Sequence, residues 1–164
     1  MVDSALPLGV TDGRGEFTAS VRQMLLELPQ RAPRDLWLID SEFDAWPLDE
    51  AAVLDALTAW HRPAGRTLHI VASDFKVVQR RLPRFSAWRL PRTHAFEAWQ
   101  PLPDERVALS AVLLAESVAL ELLDATRWRA RRVSDRAPLR ALQENLAALL
   151  HRCQSAWPAT TLGL

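Results

Sequence analysis

Apolar residues recur along this chain with helical and strand periods in turn, and that alternation predicts its elements. Phe17, Val21, Met24, Leu25 and Leu28 share one helical face, which predicts a helix over 16–30 that Pro33 ends. Leu36-Trp37-Leu38-Ile39 is a short apolar run closed by Asp40-Ser41-Glu42, the pattern of a buried strand with a wet C-terminal end. Pro47 stands where a helix starts without losing a needed N–H, and Val53, Leu54, Leu57 and Trp60 mark one side of that helix. After the turn Pro63-Ala64-Gly65, residues 67–72 read as a second strand that also ends in polar residues, Ser73 and Asp74.

Strand, helix and strand within about 40 residues form a βαβ unit, so the two strands are expected to be parallel. Their C-terminal ends then share one sheet edge, the edge at which open α/β sheets place ligands. A short helix over 75–82 stops before Pro83. Residues 85–99 are rich in Trp, Arg and Pro and hold one short strand, 93–99. Residues 101–104 are a loop. The segments 109–116 and 118–126 read as a strand pair, although their Leu and Ala content also suits a helix. Residues 127–133 either continue the second strand or form a separate edge strand. The closing helix takes Ser134 or Asp135 as its cap, carries Pro138 in its first turn, and runs to Trp157-Pro158. Leu139, Leu142, Leu146, Leu149, Leu150 and Cys153 form its apolar face. The expected fold is α/β, a mixed sheet with a βαβ unit flanked by helices. Residues 1–15 are a loose lead-in, 16–158 one domain, and 159–164 a short tail.

Composition narrows the function classes. The 164 residues suit one domain, and 49% hydrophobic with 24% charged residues is an ordinary globular balance. Twenty acids balance 20 bases, so no global field draws the chain to nucleic acid or anionic membrane, and such binding needs a local patch. Every basic residue except Lys76 is Arg. The single cysteine, Cys153, excludes an intrachain disulfide and a Cys-based zinc site, and its place on the closing helix suits a packed small hydrophobe. The N-terminus has no basic region ahead of an apolar run. The stretch 107–123 is interrupted by Ser110, Glu116, Ser117 and Glu121 and is no membrane span. The expectation is a soluble, cytoplasmic protein with no cofactor and no membrane partner.

Three constellations have chemical potential. Asp40, Glu42, Asp44 and Asp74 gather at the predicted strand ends, where Asp40 and Asp74 are the candidate ligands for a hard cation. The competing reading makes these acids caps of the following helices. Among His61, His69, His94 and His151, no pair has metal-ligand spacing. His94, near Arg89 and Arg92, is the candidate catalytic residue. No Gly-x-Ser-x-Gly elbow is present, and five glycines form no phosphate loop. Two Arg/Trp segments, 80–92 and 127–132, have the composition of a single-strand nucleic-acid surface or an anion clamp. Arg89, Arg92 and Arg129 are their candidate anion-binding residues. The alternative puts the tryptophans in the core and pairs the arginines with the acids.

The stretch Leu82-Pro83-Arg84-Phe85-Ser86-Ala87-Trp88-Arg89, followed by Thr93-His94, resembles a bacterial family of small phospholipase D-like proteins. So do Asp44-Ala45-Trp46-Pro47-Leu48 and the closing helix, and the likeness spans 17–157. It implies one half of a phospholipase D-like domain, with a homodimer as the expected assembly. Active members of that superfamily carry His-x-Lys-x4-Asp, with His as nucleophile and Lys holding the phosphate. Here His94 is followed by Ala95 and Phe96, and Pro101 stands where Asp is needed. The resemblance therefore implies the fold without the chemistry, a non-catalytic binding or interaction module. One alternative is an atypical phosphoesterase using His94 with Arg89 or Arg92. Another is a nucleic-acid-binding module.

Overall fold

The computed structural model describes residues 10–158. Among them, eight strands form one mixed sheet: β1 (Val10–Thr11), β2 (Asp35–Ile39), β3 (Thr67–Val71), β4 (Phe96–Pro101), β5 (Val112–Ala115), β6 (Val118–Asp124), β7 (Arg129–Val133) and β8 (Cys153–Ser155). Their order is β1-β7-β6-β5-β2-β3-β4-β8. The central β2, β3 and β4 are parallel, and every other pairing is antiparallel. The helices are α1 (Arg14–Leu26), α2 (Leu28–Arg31), α3 (Ala51–His61), α4 (Phe75–Arg81), α5 (Pro83–Arg89) and α6 (Arg136–Leu150). A 3₁₀ segment, Leu90–Ala95, leads into β4.

Strand alternation divides the core between two faces. Leu36 and Leu38 of β2 and Leu68 and Ile70 of β3 pack with Phe17, Val21 and Met24 of α1, Val53 and Leu57 of α3, and Phe85 of α5. Ile39, Val71 and Leu114 face the other way, against Leu139, Leu142 and Leu146 of α6. Those three leucines recur at helical spacing, so one face of α6 closes this second layer. Fully burying a side chain of this size contributes about 1.5–3 kcal/mol. Trp60 is completely buried, and its indole N–H donates to the Pro33 carbonyl at 2.7 Å, so burial leaves no polar group unpaired.

The βαβ unit and the strand pair β5–β6 lie where the apolar runs put them. Four local expectations are corrected. Residues 83–89 form α5, because Pro83 occupies the first helical turn, where a missing N–H does no harm. Residues 43–50 are irregular, and α3 begins only at Ala51. The closing helix stops at Leu150, and Cys153 belongs to β8, paired with Pro101 of β4. Finally, β7 is not an edge strand: Val10 and Thr11, inside the expected lead-in, pair with Arg131 and Ala130. Gly13 permits that entry into α1 with φ 99°, a backbone conformation that suits glycine. The remainder of the lead-in, 1–9, and the tail, 159–164, lie outside the described residues. Among the described residues, no helix is long and apolar enough to cross a membrane.

Candidate functional site

The ends of β2 and β3 meet as expected, and hydrogen bonds bind their loops together. Ser73 N–H donates to the Ser41 carbonyl at 3.0 Å, and the two Ser hydroxyl oxygens are 3.0 Å apart. The neighbouring acids are committed to local structure. Asp40 Oδ2 accepts from the Phe43 N–H at 3.0 Å, which holds buried Phe43 at φ 60°. Asp74 caps α4, accepting from the Lys76 N–H at 2.9 Å. Glu42 pairs with Arg81 at 2.9 Å and Asp44 with Arg14 at 3.2 Å. Asp40 and Asp74 thus have capping work, and no group of three metal-ligating side chains occurs among the described residues.

Burial pushes the Asp40 carboxyl above its ordinary value, outweighing the backbone N–H donors of Ser41 and Phe43. The folded chain therefore holds this proton more tightly than the unfolded chain. The stability it contributes is full below the unfolded pKa and is lost as pH rises through the folded one. Asp40→Asn, which cannot ionise, is expected to gain on wild type in melting temperature as pH rises from about 4 to 7. A pH-independent difference between the two melting curves would contradict this.

The candidate catalytic residue shares its setting with Arg92 but not with Arg89. His94 is exposed in the 3₁₀ segment before β4, at the N-terminal end of the parallel strands. Its ring lies edge-on to His61 at 5.9 Å. Burial first, then the charges of Arg92 and His94, hold the His61 imidazole below its usual value. Arg92 lies 4.6 Å over the Trp88 ring and donates to the Trp88 carbonyl at 2.6 Å. Among the described residues, no carboxylate hydrogen-bonds to His94 to orient it as a base.

Arg89 is buried, with only 4% of its surface exposed. Its guanidinium stacks over Trp157 at 4.1 Å and lies 5.3 Å from the Phe96 ring. One terminal nitrogen donates to the Trp157 carbonyl, while Nε is buried without a partner among the described residues. Burial lowers the pKa of this group, and no carboxylate pairs with it among the described residues. Arg89 lines a cavity of about 570 Å³ that also takes in Lys76 and Gln79 of α4, Gln100 of β4, and Trp157. Neither His94 nor Arg92 lines it.

Arg129 is exposed on β7, away from both places. Most of the neighbouring aromatic and basic groups have structural partners. Trp128 packs 5.4 Å from Phe17 beneath Arg14, and the Trp88 N–H donates to the Thr58 hydroxyl at 2.8 Å. Arg131 pairs with Glu121, and Arg132 with Glu27. The two Arg/Trp segments therefore pack their tryptophans, half-buried, against the core.

One cluster escaped the sequence reading. His69 of β3, 7% exposed, stacks on Trp37 of β2 with ring centroids 3.9 Å apart. Its Nε2 is 2.8 Å from Asp35 Oδ1 and its Nδ1 is 3.1 Å from Glu97 Oε1. Parallel register puts Trp37, His69 and Glu97 side by side on three adjacent strands. Strand alternation gives the face of His69, but its two acids come from strands distant in sequence. Both ring nitrogens are occupied, so this histidine staples strands and has no free nitrogen for a substrate proton.

No protein-family model matches the chain, and no curated protein matches it. Among solved structures, the chain is similar to TrmBL2, described as an archaeal chromatin protein that shows a novel mode of DNA binding. The TM-score is 0.63 at 12% identity, over 94% of this chain and 57% of that one. The chain thus spans little more than half the length of that neighbour, and the likeness concerns the fold.

Proposed function

We propose that the chain is a non-catalytic binding module built on a single phospholipase D-like half, with a homodimer as its assembly. The order of elements, the mixed sheet and the closing α6 support this fold reading. One separation carries the functional reading. A phosphohistidine reaction needs a nucleophilic His and a phosphate-holding cation at one place. Lys76 and Arg89 line a cavity without a histidine, while His94 stands exposed beside His61. The phosphoesterase alternative using His94 with Arg89 lacks that shared site, and in the form using Arg92 the guanidinium is held over the Trp88 ring and on its carbonyl. DNA binding in the structural neighbour lends some support to a nucleic-acid module, but Trp88 and Trp128 are half-buried and packed against the core, which weakens the stacking platform it needs.

Hydrolysis of bis-p-nitrophenyl phosphate, assayed with and without Mg²⁺, Mn²⁺ or Zn²⁺, is expected to stay at the buffer rate. His94→Ala is expected to leave it there. Turnover that His94→Ala abolishes would overturn the non-catalytic reading.

A further inference from the structure

We propose that the cavity between α4, the end of α5 and the edge of β4 is a binding site for a small phosphomonoester, with Arg89 and Lys76 holding the phosphate. This rests on the binding-module reading and names the ligand of that module. The argument starts from a missing counter-charge. His69, comparably buried, has a carboxylate at each ring nitrogen, whereas Arg89 has none among the described residues. A guanidinium out of water without an anion is costly, and the aromatic faces of Trp157 and Phe96 compensate only in part. Arg89 has five N–H donors, of which one goes to the Trp157 carbonyl and the Nε–H goes unused. An anion in the cavity supplies the missing counter-charge.

The rest of the lining defines the ligand. Lys76, the chain's only lysine, is exposed at the cavity and has no acidic side chain within ion-pair distance among the described residues. Two cations suit a dianionic phosphate. Asp74 also lines the cavity, so a second anionic group is repelled there while a ligand hydroxyl finds an acceptor. That selects a monoester against a polyphosphate or a nucleic-acid backbone. Gln79 and Gln100 supply amides that orient a polar body, and Phe75 and Trp157, stacked at 5.0 Å, supply an apolar wall. A volume of about 570 Å³ lies in the range of small-molecule sites and exceeds what a bare phosphate fills.

The test is calorimetric titration of the full chain with phenyl phosphate, inorganic phosphate, phenol and an oligothymidylate. Phenyl phosphate is expected to bind saturably, inorganic phosphate more weakly, and phenol not at all. Arg89→Met and Lys76→Met are each expected to weaken phenyl phosphate at least about tenfold, the scale of one lost charge-assisted hydrogen bond. Lys76 is exposed, so that variant tests the site even if Arg89→Met folds poorly. Equal affinity for phenyl and inorganic phosphate would put free phosphate in the site and overturn the monoester assignment. Displacement of phenyl phosphate by the oligothymidylate would overturn the small-ligand assignment. No saturable binding by wild type, or binding unchanged in Lys76→Met, would overturn the site itself. Release of phenol from phenyl phosphate would instead overturn the non-catalytic reading and leave the site standing.

Discussion

Replacing Trp157 by Ala is expected to lower stability by about 3–5 kcal/mol, the cost of removing a large aromatic from a packed core. A domain of this size has roughly 5–15 kcal/mol in total, so the variant would stand near its folding threshold. Its melting temperature is expected to fall by roughly 6–20 °C, at about 2–4 °C for each kcal/mol. Trp157 lies just past β8, yet its ring stacks on Phe75 at 5.0 Å and meets Phe85 and Phe96 at 6.4 and 6.1 Å. It thereby ties the C-terminal strand to α4, α5 and β4. The same ring faces the guanidinium of Arg89, so its loss strips a buried cation of an aromatic partner as well as opening a void. Trp157→Phe keeps the π face and discards an indole N–H that is buried without a partner, and it is expected to cost a small part of that. Thermal melts of the two variants beside wild type decide the point. A Trp157→Ala protein that melts like wild type would mean that the segment after α6 is not part of the folded core.

Legibility in the sequence followed locality. The apolar runs of β2 and β3, with α3 between them, follow from residues adjacent in the chain, and the pairing of Leu36 with Leu68 agrees. Where a local signal has two physical meanings, the expectation went astray. Pro83 ends α4 but also opens α5, because proline is harmless in a first helical turn. Cys153 continues the spacing of Leu146, Leu149 and Leu150, yet the chain turns at His151–Arg152 and Cys153 enters β8. The two residues of β1 are too few for any periodicity to register. The candidate site failed in the same way. Arg89 stands near His94 in sequence, and that nearness alone groups the two. The structure puts Arg89 with Lys76 of the preceding helix and with Trp157, 68 residues further along the chain.

His69→Ala carries the second large expected effect, a loss of roughly 2–3 kcal/mol. Hydrogen bonds to charged groups contribute about 1.5–3 kcal/mol each, but Asp35 and Glu97 are 56% and 52% exposed, so water screens both. Loss of the ring also leaves a void against Trp37, whose stacking partner is gone. The remaining two acids then flank β3 with nothing between them, on the three parallel strands that anchor the sheet. His69→Gln retains a donor and is expected to recover part of the loss. A double-mutant cycle separates packing from pairing: with Asp35 already changed to Asn, His69→Ala should cost measurably less, by about 0.5 kcal/mol or more. If the cost is the same in both backgrounds, the Asp35 contact contributes nothing and the ring acts through packing alone. The contrast with Arg89 gives the cycle a second use. Both are buried basic groups, but the needs of His69 are met inside the sheet. Its coupling should therefore be complete in the protein alone, whereas Arg89, stacked there on Trp157 and Phe96, should couple to Lys76 only when phenyl phosphate is bound.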